Sequence, residues 1–324
     1  MNVLYILGNG FDKAQGMRTS YPEFYQYLME NTNDSSKLLQ QLKKDINANT
    51  EFWSNMEEAF GQFTSQVETA ADLEQLYFEL SDHLQFYLKE EEKSFIPSDQ
   101  LRNKFQGDFI SPGKFLGATD RGRYKEFVNR MTKGMDISVM SFNYTDTLER
   151  LLAIGNGKDK NYGNGCYLRQ IIHVHGTLDD SIIIGVDNEE QIKNKELSNN
   201  EDVKDFLVKE QSNLAMKFTR HITCERLISE AQLILFYGVS MGKTDAHWWK
   251  LIGEQFKKRN SLCLIQFLYV PNAVSPTRRQ LLGRVEREHR FGFMKNLGFQ
   301  KESDWPEDTL NRLFFITNSD AFKL

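Results

Sequence analysis

The sequence contains few cysteines and no paired cysteine motif. Its three cysteines, Cys166, Cys224 and Cys263, are widely separated among 324 residues. An odd number of isolated cysteines argues against a disulfide-bonded secreted protein and indicates a reducing compartment. Neither a Cys-x-x-Cys pair nor a His-Glu-x-x-His motif occurs, so we expect no metal site.

Long apolar segments and a basic excess are lacking as well. No stretch approaches the roughly 18 uninterrupted apolar residues that a membrane span needs. The first residues lack the basic and extended apolar regions of an export signal. The formal net charge of −5 argues against a strong electrostatic attraction to nucleic acid. We therefore predict a cytoplasmic protein with no membrane association and no obligatory nucleic-acid partner.

The sequence does contain short apolar runs that end in glycine, asparagine or histidine. Such runs are typical of buried parallel strands, and helical patterns alternate with them. This alternation predicts an α/β fold, a Rossmann-like parallel sheet covered by helices. The predicted strands are residues 3–7, 137–142, 168–174, 182–185, 233–237 and 262–270, the last taken as the final central strand. The predicted helices are residues 21–29, 144–153, 203–231, 246–256, 276–288 and 291–299.

Residues 35–133 differ in composition from the rest of the chain. They contain few glycines and are rich in Leu, Gln, Glu, Lys and Phe. Leucines recur in this segment at helical spacing, namely Leu73, Leu76, Leu80, Leu84 and Leu88. We interpret 35–133 as a helical insertion, interrupted near Pro97 and Pro112, in an α/β domain formed by residues 1–34 plus 134–324.

A glycine-rich turn follows the first predicted strand. Gly8, Asn9 and Gly10 come directly after it, and Gly16 lies six residues after Gly10. Glycine allows positive φ and close backbone approach to a phosphate, and free amides at the next helix favour an anion. The turn therefore predicts nucleotide binding, with a tight turn that binds nothing as the alternative. Lys13 occupies the last position of the G-x-G-x-x-G fingerprint, which disfavours a hydride-transfer enzyme.

Two further motifs follow predicted strands. Asn143 offers a donor and an acceptor for ribose hydroxyls or an ordered water, or it caps the next helix, a role that suits Asp146 better. His173 and His175 alternate onto one face of a strand, and histidine suits proton transfer near neutral pH. We favour His175 as the functional residue because Gly176 leaves room beside it, and His173 as a packed, hydrogen-bonded histidine.

The fourth motif follows the predicted strand 233–237. Its Gly238 and Ser240 are expected to hold the other end of a dinucleotide, while Asp245 is interpreted as a helix cap. Trp248 and Trp249 are expected in the core. Because the carboxyl ends of parallel strands meet at one edge of a sheet, the four motifs are predicted to converge on a single ligand.

These motifs resemble those of the sirtuin-like superfamily. Gly8, Gly10 and Gly16 match the glycine spacing of its G-A-G-x-S loop. The other similar segments are residues 141–144 (the first part of T-x-N-x-D), 175–176 (the catalytic His-Gly) and 238–241 (the G-x-S-L loop). A closer resemblance, over nearly the whole chain, is to AbiH-type abortive-infection proteins. The segments that carry it are 7–12, 141–145, 173–176 and 184–187.

The AbiH resemblance implies that the protein defends a bacterium against phage. A phage-derived trigger or a partner protein is a possible interaction partner by this resemblance, and a homo-oligomer is left open. The wider superfamily implies cleavage of NAD, as substrate, at the nicotinamide–ribose bond. By this resemblance His175 is the general base, and Asn143 positions the water and the ribose. Asp12 has no counterpart in the superfamily pattern, and we expect it either to face the reacting ribose or to indicate a ligand other than NAD. The implied nucleotide-binding residues are Gly8, Asn9, Gly10, Gly16, Tyr144, Gly238 and Ser240.

Two residues depart from the superfamily pattern. Thr145 stands where the motif has aspartate, so the group expected to hold the nicotinamide amide is missing or is replaced by Asp146. Asp12 stands where sirtuins carry a small residue, and a carboxylate beside a pyrophosphate is unfavourable. The zinc module of sirtuin deacylases is absent from the sequence, so deacylation is not expected. A nucleotide-sensing module without catalysis, or a hydrolase of another nucleotide, are the alternatives.

Overall fold

A seven-stranded sheet forms the centre of the protein in a computed structural model that describes residues 1–31, 36–131, 134–154, 160–270 and 281–323. The strands are β1 (Asn2–Leu7), β2 (Met135–Ser141), β3 (Lys160–Asn161), β4 (Cys166–His173), β5 (Leu233–Tyr237), β6 (Cys263–Leu268) and β7 (Leu313–Thr317). Their order is β3-β4-β2-β1-β5-β6-β7, and every pair except β3–β4 is parallel. The predicted α/β fold is confirmed.

Helices cover both faces of the sheet. Those before β2 are α1 (Gly10–Ala14), α2 (Tyr21–Asn31), α3 (Lys37–Ala48), α4 (Met56–Phe63), α5 (Ala70–Ser94), α6 (Asp99–Phe109) and α7 (Ala118–Asn129). Those after β2 are α8 (Thr147–Leu152), α9 (Lys195–Ser198), α10 (Glu201–Leu207), α11 (Lys209–Ala215), α12 (Arg220–Glu230), α13 (Ala246–Lys258), α14 (Leu282–Asn296) and α15 (Thr309–Arg312). Within the described ranges, none of these helices has the length and apolar character to cross a membrane.

Three apolar clusters hold the elements together. Alternate residues of β1 belong to different clusters, because successive strand side chains point to opposite faces. Tyr5 contributes to the face covered by α6 and α8, where its ring stacks on Phe109 at 4.6 Å between centroids. Ile6 contributes to the face covered by α12 and α13. The third cluster joins α2–α5 to the chain between Leu178 and Val208.

The strand predictions differ from the structure in two regions. Residues 182–185 are not a strand: their neighbour Val186 makes a single bridge to Val208, and Ile184 is buried among the helices of the third cluster. The hydrophobicity of this run therefore reflects helix packing and not strand pairing. Strands β3 and β7 were not predicted, so β6 is followed by an edge strand and is not the last strand of the sheet.

The helix predictions differ where polar or turn geometry interrupts a helical pattern. The five-residue α1 precedes α2, so the helix at 21–29 is not the one that directly follows the glycine turn. Helix α8 begins at Thr147 and not at 144. The stretch 203–231 is three helices, because Val208 is extended and Lys217 is left-handed, with φ of 57°. Of the predicted helix 276–288, residues 276–280 lie outside the described ranges, and α14 runs from 282 to 296.

Two helical glycines with different surroundings test this packing. A methyl group on Gly253 in α13 would overlap the carbonyl oxygen of Leu297, whereas one on Gly107 in α6 would meet open space. We expect Gly253→Ala to lower the free energy of unfolding by about 1–3 kcal/mol through overpacking. Gly107→Ala should raise it by up to about 1 kcal/mol. Urea unfolding of both variants measures the difference, and equal stability of the two would contradict the close contact between α13 and the end of α14.

Candidate functional site

A cavity of about 620 Å³ lies at the carboxyl ends of four neighbouring strands, β4, β2, β1 and β5. Helices α2, α4 and α5 close its other side through Tyr21, Glu57 and Leu84. The structure brings nine of the ten predicted site residues to its wall. They are Gly8, Asn9, Gly10, Asp12, Asn143, Tyr144, His175, Gly238 and Ser240.

The glycines of the cavity make a close backbone contact between the loops after β1 and β5. A Cβ on Gly8 would lie 2.7 Å from the Gly238 carbonyl oxygen, and a Cβ on Gly10 would lie 2.6 Å from the Cα of Gly238. Gly238 itself has a φ of 68°, which favours glycine. The amides of Gly8 and Gly10 donate to Tyr237 and Gly238 carbonyls at 3.1 and 2.9 Å. These two amides therefore join the loops, and a phosphate at this turn would have to be bound by other groups.

The two remaining residues of the first motif have different positions. Gly16 is exposed and is not part of the cavity wall; its φ of 79° serves the turn that ends α1. Asn9 lines the cavity, and its side-chain oxygen accepts a hydrogen bond from the Thr19 hydroxyl. This bond fixes the glycine turn to the chain that leads into α2.

Asp12 is buried and forms the centre of a hydrogen-bonded group. Its carboxylate accepts from Asn143 Nδ2 at 3.0 Å and from the Thr145 hydroxyl at 2.6 Å. Burial raises the pKa of Asp12 to about 6, although the hydrogen bonds from Thr145, Thr147 and Asn143 act in the opposite direction. Asn143 is thereby held with its amide nitrogen on Asp12, and its side-chain oxygen has no hydrogen-bond partner among the described residues.

Residues 144–146 explain why α8 begins late. The Tyr144 hydroxyl donates to the Ile183 carbonyl at 3.1 Å, and Thr145 is engaged with Asp12, so both side chains are committed to the cavity wall. Asp146 makes no side-chain cap bond; it pairs with Arg150 at 2.6 Å and is not part of the wall. Asp146, the residue considered as a replacement for the motif aspartate, therefore lies outside the cavity, whereas Asp12 lies on its wall.

His173 is a structural histidine. Nδ1 donates to the Asn143 carbonyl at 2.7 Å, and Nε2 lies 2.9 Å from Glu149 Oε1. Burial acts to lower the pKa of His173, but the hydrogen bond and charge of Glu149 outweigh it and leave the pKa above its ordinary value. Strand β4 ends at His173, so the alternation expected to place both histidines on one face stops before His175. The two imidazoles have different partners.

His175 forms a pair with Asp245. Its Nε2 lies 2.9 Å from Asp245 Oδ1, and its Nδ1 is buried with no hydrogen-bond partner in the described part of the chain. Asp245 stands at the N-cap position of α13 but makes no cap bond, so its predicted capping role is wrong. Burial acts to raise the pKa of Asp245, but the charges of Lys209 and His175 outweigh it and hold the pKa well below its usual range. An ionised Asp245 only accepts, so Nε2 carries the hydrogen.

Motif reasoning missed three residues behind this pair. Lys209 Nζ donates to Asp245 Oδ1 at 2.9 Å and to Glu57 Oε2 at 2.8 Å. The Thr244 hydroxyl donates to the same Glu57 oxygen at 2.7 Å. Burial acts to lower the pKa of Lys209, but the two carboxylates outweigh it and raise the pKa. No motif in the sequence marks these three residues, and Lys209 is one of several charged residues within the predicted helix 203–231.

The other predicted groups have simple positions. Ser240 lines the cavity beside Met241, whose φ of 53° continues the turn after Gly238. Trp248 and Trp249 are buried in the core, as predicted, and Trp249 also reaches the cavity wall. Among the described residues, no group of three or more His, Cys, Asp or Glu side chains is placed to hold a metal ion.

Comparison with known proteins adds one match to this geometry. The model of a protein family described as bacteriophage abortive infection AbiH matches residues 4–267. This range begins within β1, includes β2 to β5 and contains every wall residue discussed above. A comparison with curated proteins found no match.

The raised pKa of Asp12 predicts how stability depends on pH. Because its pKa of about 6 exceeds the ordinary value of 3.8, the folded protein keeps this proton to higher pH than the unfolded chain. The associated stability is present below about pH 4 and is lost as pH rises through about 6. Over that interval, we expect the free energy of unfolding of the wild type to fall by about 2–3 kcal/mol relative to Asp12→Asn. Urea titrations measure it, and Asp202→Asn on the exposed face of α10 should keep the wild-type slope.

Proposed function

The chain belongs to the AbiH family of bacteriophage abortive infection proteins, and from this premise we propose that it hydrolyses NAD at the nicotinamide–ribose bond. The observation that carries the proposal is a His175–Asp245 pair and an Asp12–Asn143 pair on the wall of one cavity. Together they provide a base and a polar, negatively charged surface beside two loops joined by glycines. A cavity of about 620 Å³ has the volume of a site for a ligand of cofactor size.

The reaction breaks the glycosidic bond between the nicotinamide nitrogen and the ribose C1′. The electron pair of this bond goes to the pyridinium ring, which leaves as neutral nicotinamide. A water oxygen forms the new bond to C1′ and gives up one proton, so the products are nicotinamide, ADP-ribose and a proton. The transition state resembles an oxocarbenium ion, and fixed negative charge close to it lowers its energy.

His175 is the group proposed to take the proton from water. Asp245 accepts from Nε2–H, so Nδ1 is the nitrogen left with a lone pair. Orientation of the imidazole by a carboxylate is the arrangement that general-base histidines use. Asn143 has its side-chain oxygen available to accept from a water or a ribose hydroxyl, and Asp12 holds the amide in that orientation.

Asp12 has a second role in this proposal. At neutral pH it is ionised, because its pKa is about 6, and it lies buried beside Asn143. A carboxylate there stabilises positive charge at the ribose and occupies the place next to Thr145, the residue that replaces the motif aspartate. Lys13 is the one lysine or arginine among the described wall residues, so it is the cation available for the pyrophosphate.

Substitution of His175 tests the proposal. We expect His175→Ala to lower the rate of NAD cleavage by about 10²–10⁴-fold because it removes the base. The protein should stay folded because Asp245 keeps its ion pair with Lys209. Free nicotinamide is measured by chromatography with purified protein, alone and with lysate of phage-infected cells. His289→Ala, on the exposed surface of α14, is the matched control and should keep wild-type activity.

The outcomes separate the three functional hypotheses. If wild-type protein binds NAD and returns it intact under every condition, the sensing module is favoured and hydrolysis is rejected. If a panel of nucleotides shows cleavage of another nucleotide that His175→Ala abolishes, the base is correct and the substrate is wrong. Loss of NAD in infected cells that carry wild-type protein but not His175→Ala would connect the reaction to the family's role in abortive infection.

A further inference from the structure

Lys209 lies at the junction of three separate parts of the chain. Lys209 is the first residue of α11, and Asp245 precedes α13. Glu57 belongs to α4, within residues 35–133, which we call the helical segment. Lys209 and Glu57 are each less than a tenth exposed. A buried lysine between two carboxylates is costly to desolvate, and a buried ion pair is weak evidence of a role in stability. Its contacts indicate a different role.

The contact that matters is a shared oxygen. Asp245 Oδ1 accepts from Lys209 Nζ and lies against His175 Nε2, each at 2.9 Å. The ammonium and the imidazole are therefore within about 6 Å of each other, a range in which a like charge disfavours protonation. Lys209 thus opposes formation of an imidazolium and also weakens the pull of Asp245 on the Nε2 hydrogen.

We propose that Lys209 is a positioning residue that keeps His175 neutral, with its hydrogen on Nε2 and its lone pair on Nδ1. This inference rests on the proposed function, because a neutral imidazole is what a general base requires. Glu57 balances the charge of Lys209 and orients it through their 2.8 Å contact, and Thr244 holds Glu57. The helical segment is in this way connected to the protonation of His175 through a single side chain.

A double variant isolates this role from simple structural support. Lys209→Met alone would leave two buried carboxylates without a cation and would destabilise the fold. Glu57→Gln/Lys209→Met removes one charge of each sign, so that His175 is the one side-chain partner left to Asp245 in the described part of the chain. Glu57→Gln alone keeps Lys209 and is the matched control.

The state of His175 is read directly by long-range proton–nitrogen correlation spectra of protein labelled at histidine nitrogen. His175→Ala assigns the signals. At neutral pH, wild type and Glu57→Gln should show a neutral ring with the hydrogen on Nε2, whereas the double variant should show hydrogen on both nitrogens. We also expect kcat for NAD cleavage to fall about tenfold or more in the double variant, with KM within about twofold of wild type.

Two results would overturn the inference. One is a double variant in which His175 stays neutral with its hydrogen on Nε2. The other is a wild-type ring that is doubly protonated or carries its hydrogen on Nδ1, and this spectrum decides the matter even if the double variant does not fold. Because the spectra need no NAD, a protein with the expected wild-type and variant spectra but no cleavage of NAD would reject the proposed function and leave the role of Lys209 intact.

Discussion

The backbone contact of Gly8 and Gly10 with Gly238 sets the geometry of the cavity. Strands β1 and β5 are neighbours in the sheet, and their loops would separate at the sheet edge if either carried a side chain at these positions. The amides of both N-terminal glycines are used to join the loops. The glycine turn is thus primarily a device for close packing. It places Asn9, Asp12 and Ser240 on the wall of one cavity.

Two groups of charges follow from this geometry, and they behave differently. Asp12 is buried with hydrogen-bond donors and, among the described residues, no cation in contact, so burial raises its pKa. Asp245 is half-buried and touches Lys209 and His175, so its pKa is held low. The first carboxylate titrates near the acid end of the physiological range, and the second stays ionised throughout it. The cavity therefore contains two carboxylates with different behaviour. Asp12 changes its protonation within this range, whereas Asp245, the hydrogen-bond partner of His175, does not.

The sequence predicted the sheet and most of the cavity because both depend on local patterns. Apolar runs followed by glycine, asparagine or histidine identified β1, β2, β4 and β5, and parallel pairing brings their ends together. The Asp12–Thr145 contact and the Lys209–Asp245 contact could not be predicted, since each joins residues far apart in the chain with no shared motif. The predicted strand at 182–185 was wrong for a related reason. Apolar residues indicate that a segment is buried, but they do not show whether it pairs with a strand or packs against helices.

The cavity wall has two origins. The catalytic pairs proposed for it stand on strand ends and loops of the sheet, whereas Tyr21, Leu84 and Leu88 come from helices on the opposite side. Side chains on that helical side can be exchanged without disturbing strand pairing, because they pack in a cluster of their own. Substitutions among these helical residues would therefore change the shape of the cavity while the groups on the strand ends stay in place. The size of the cavity and the chemistry of its strand-end groups can thus change independently of each other.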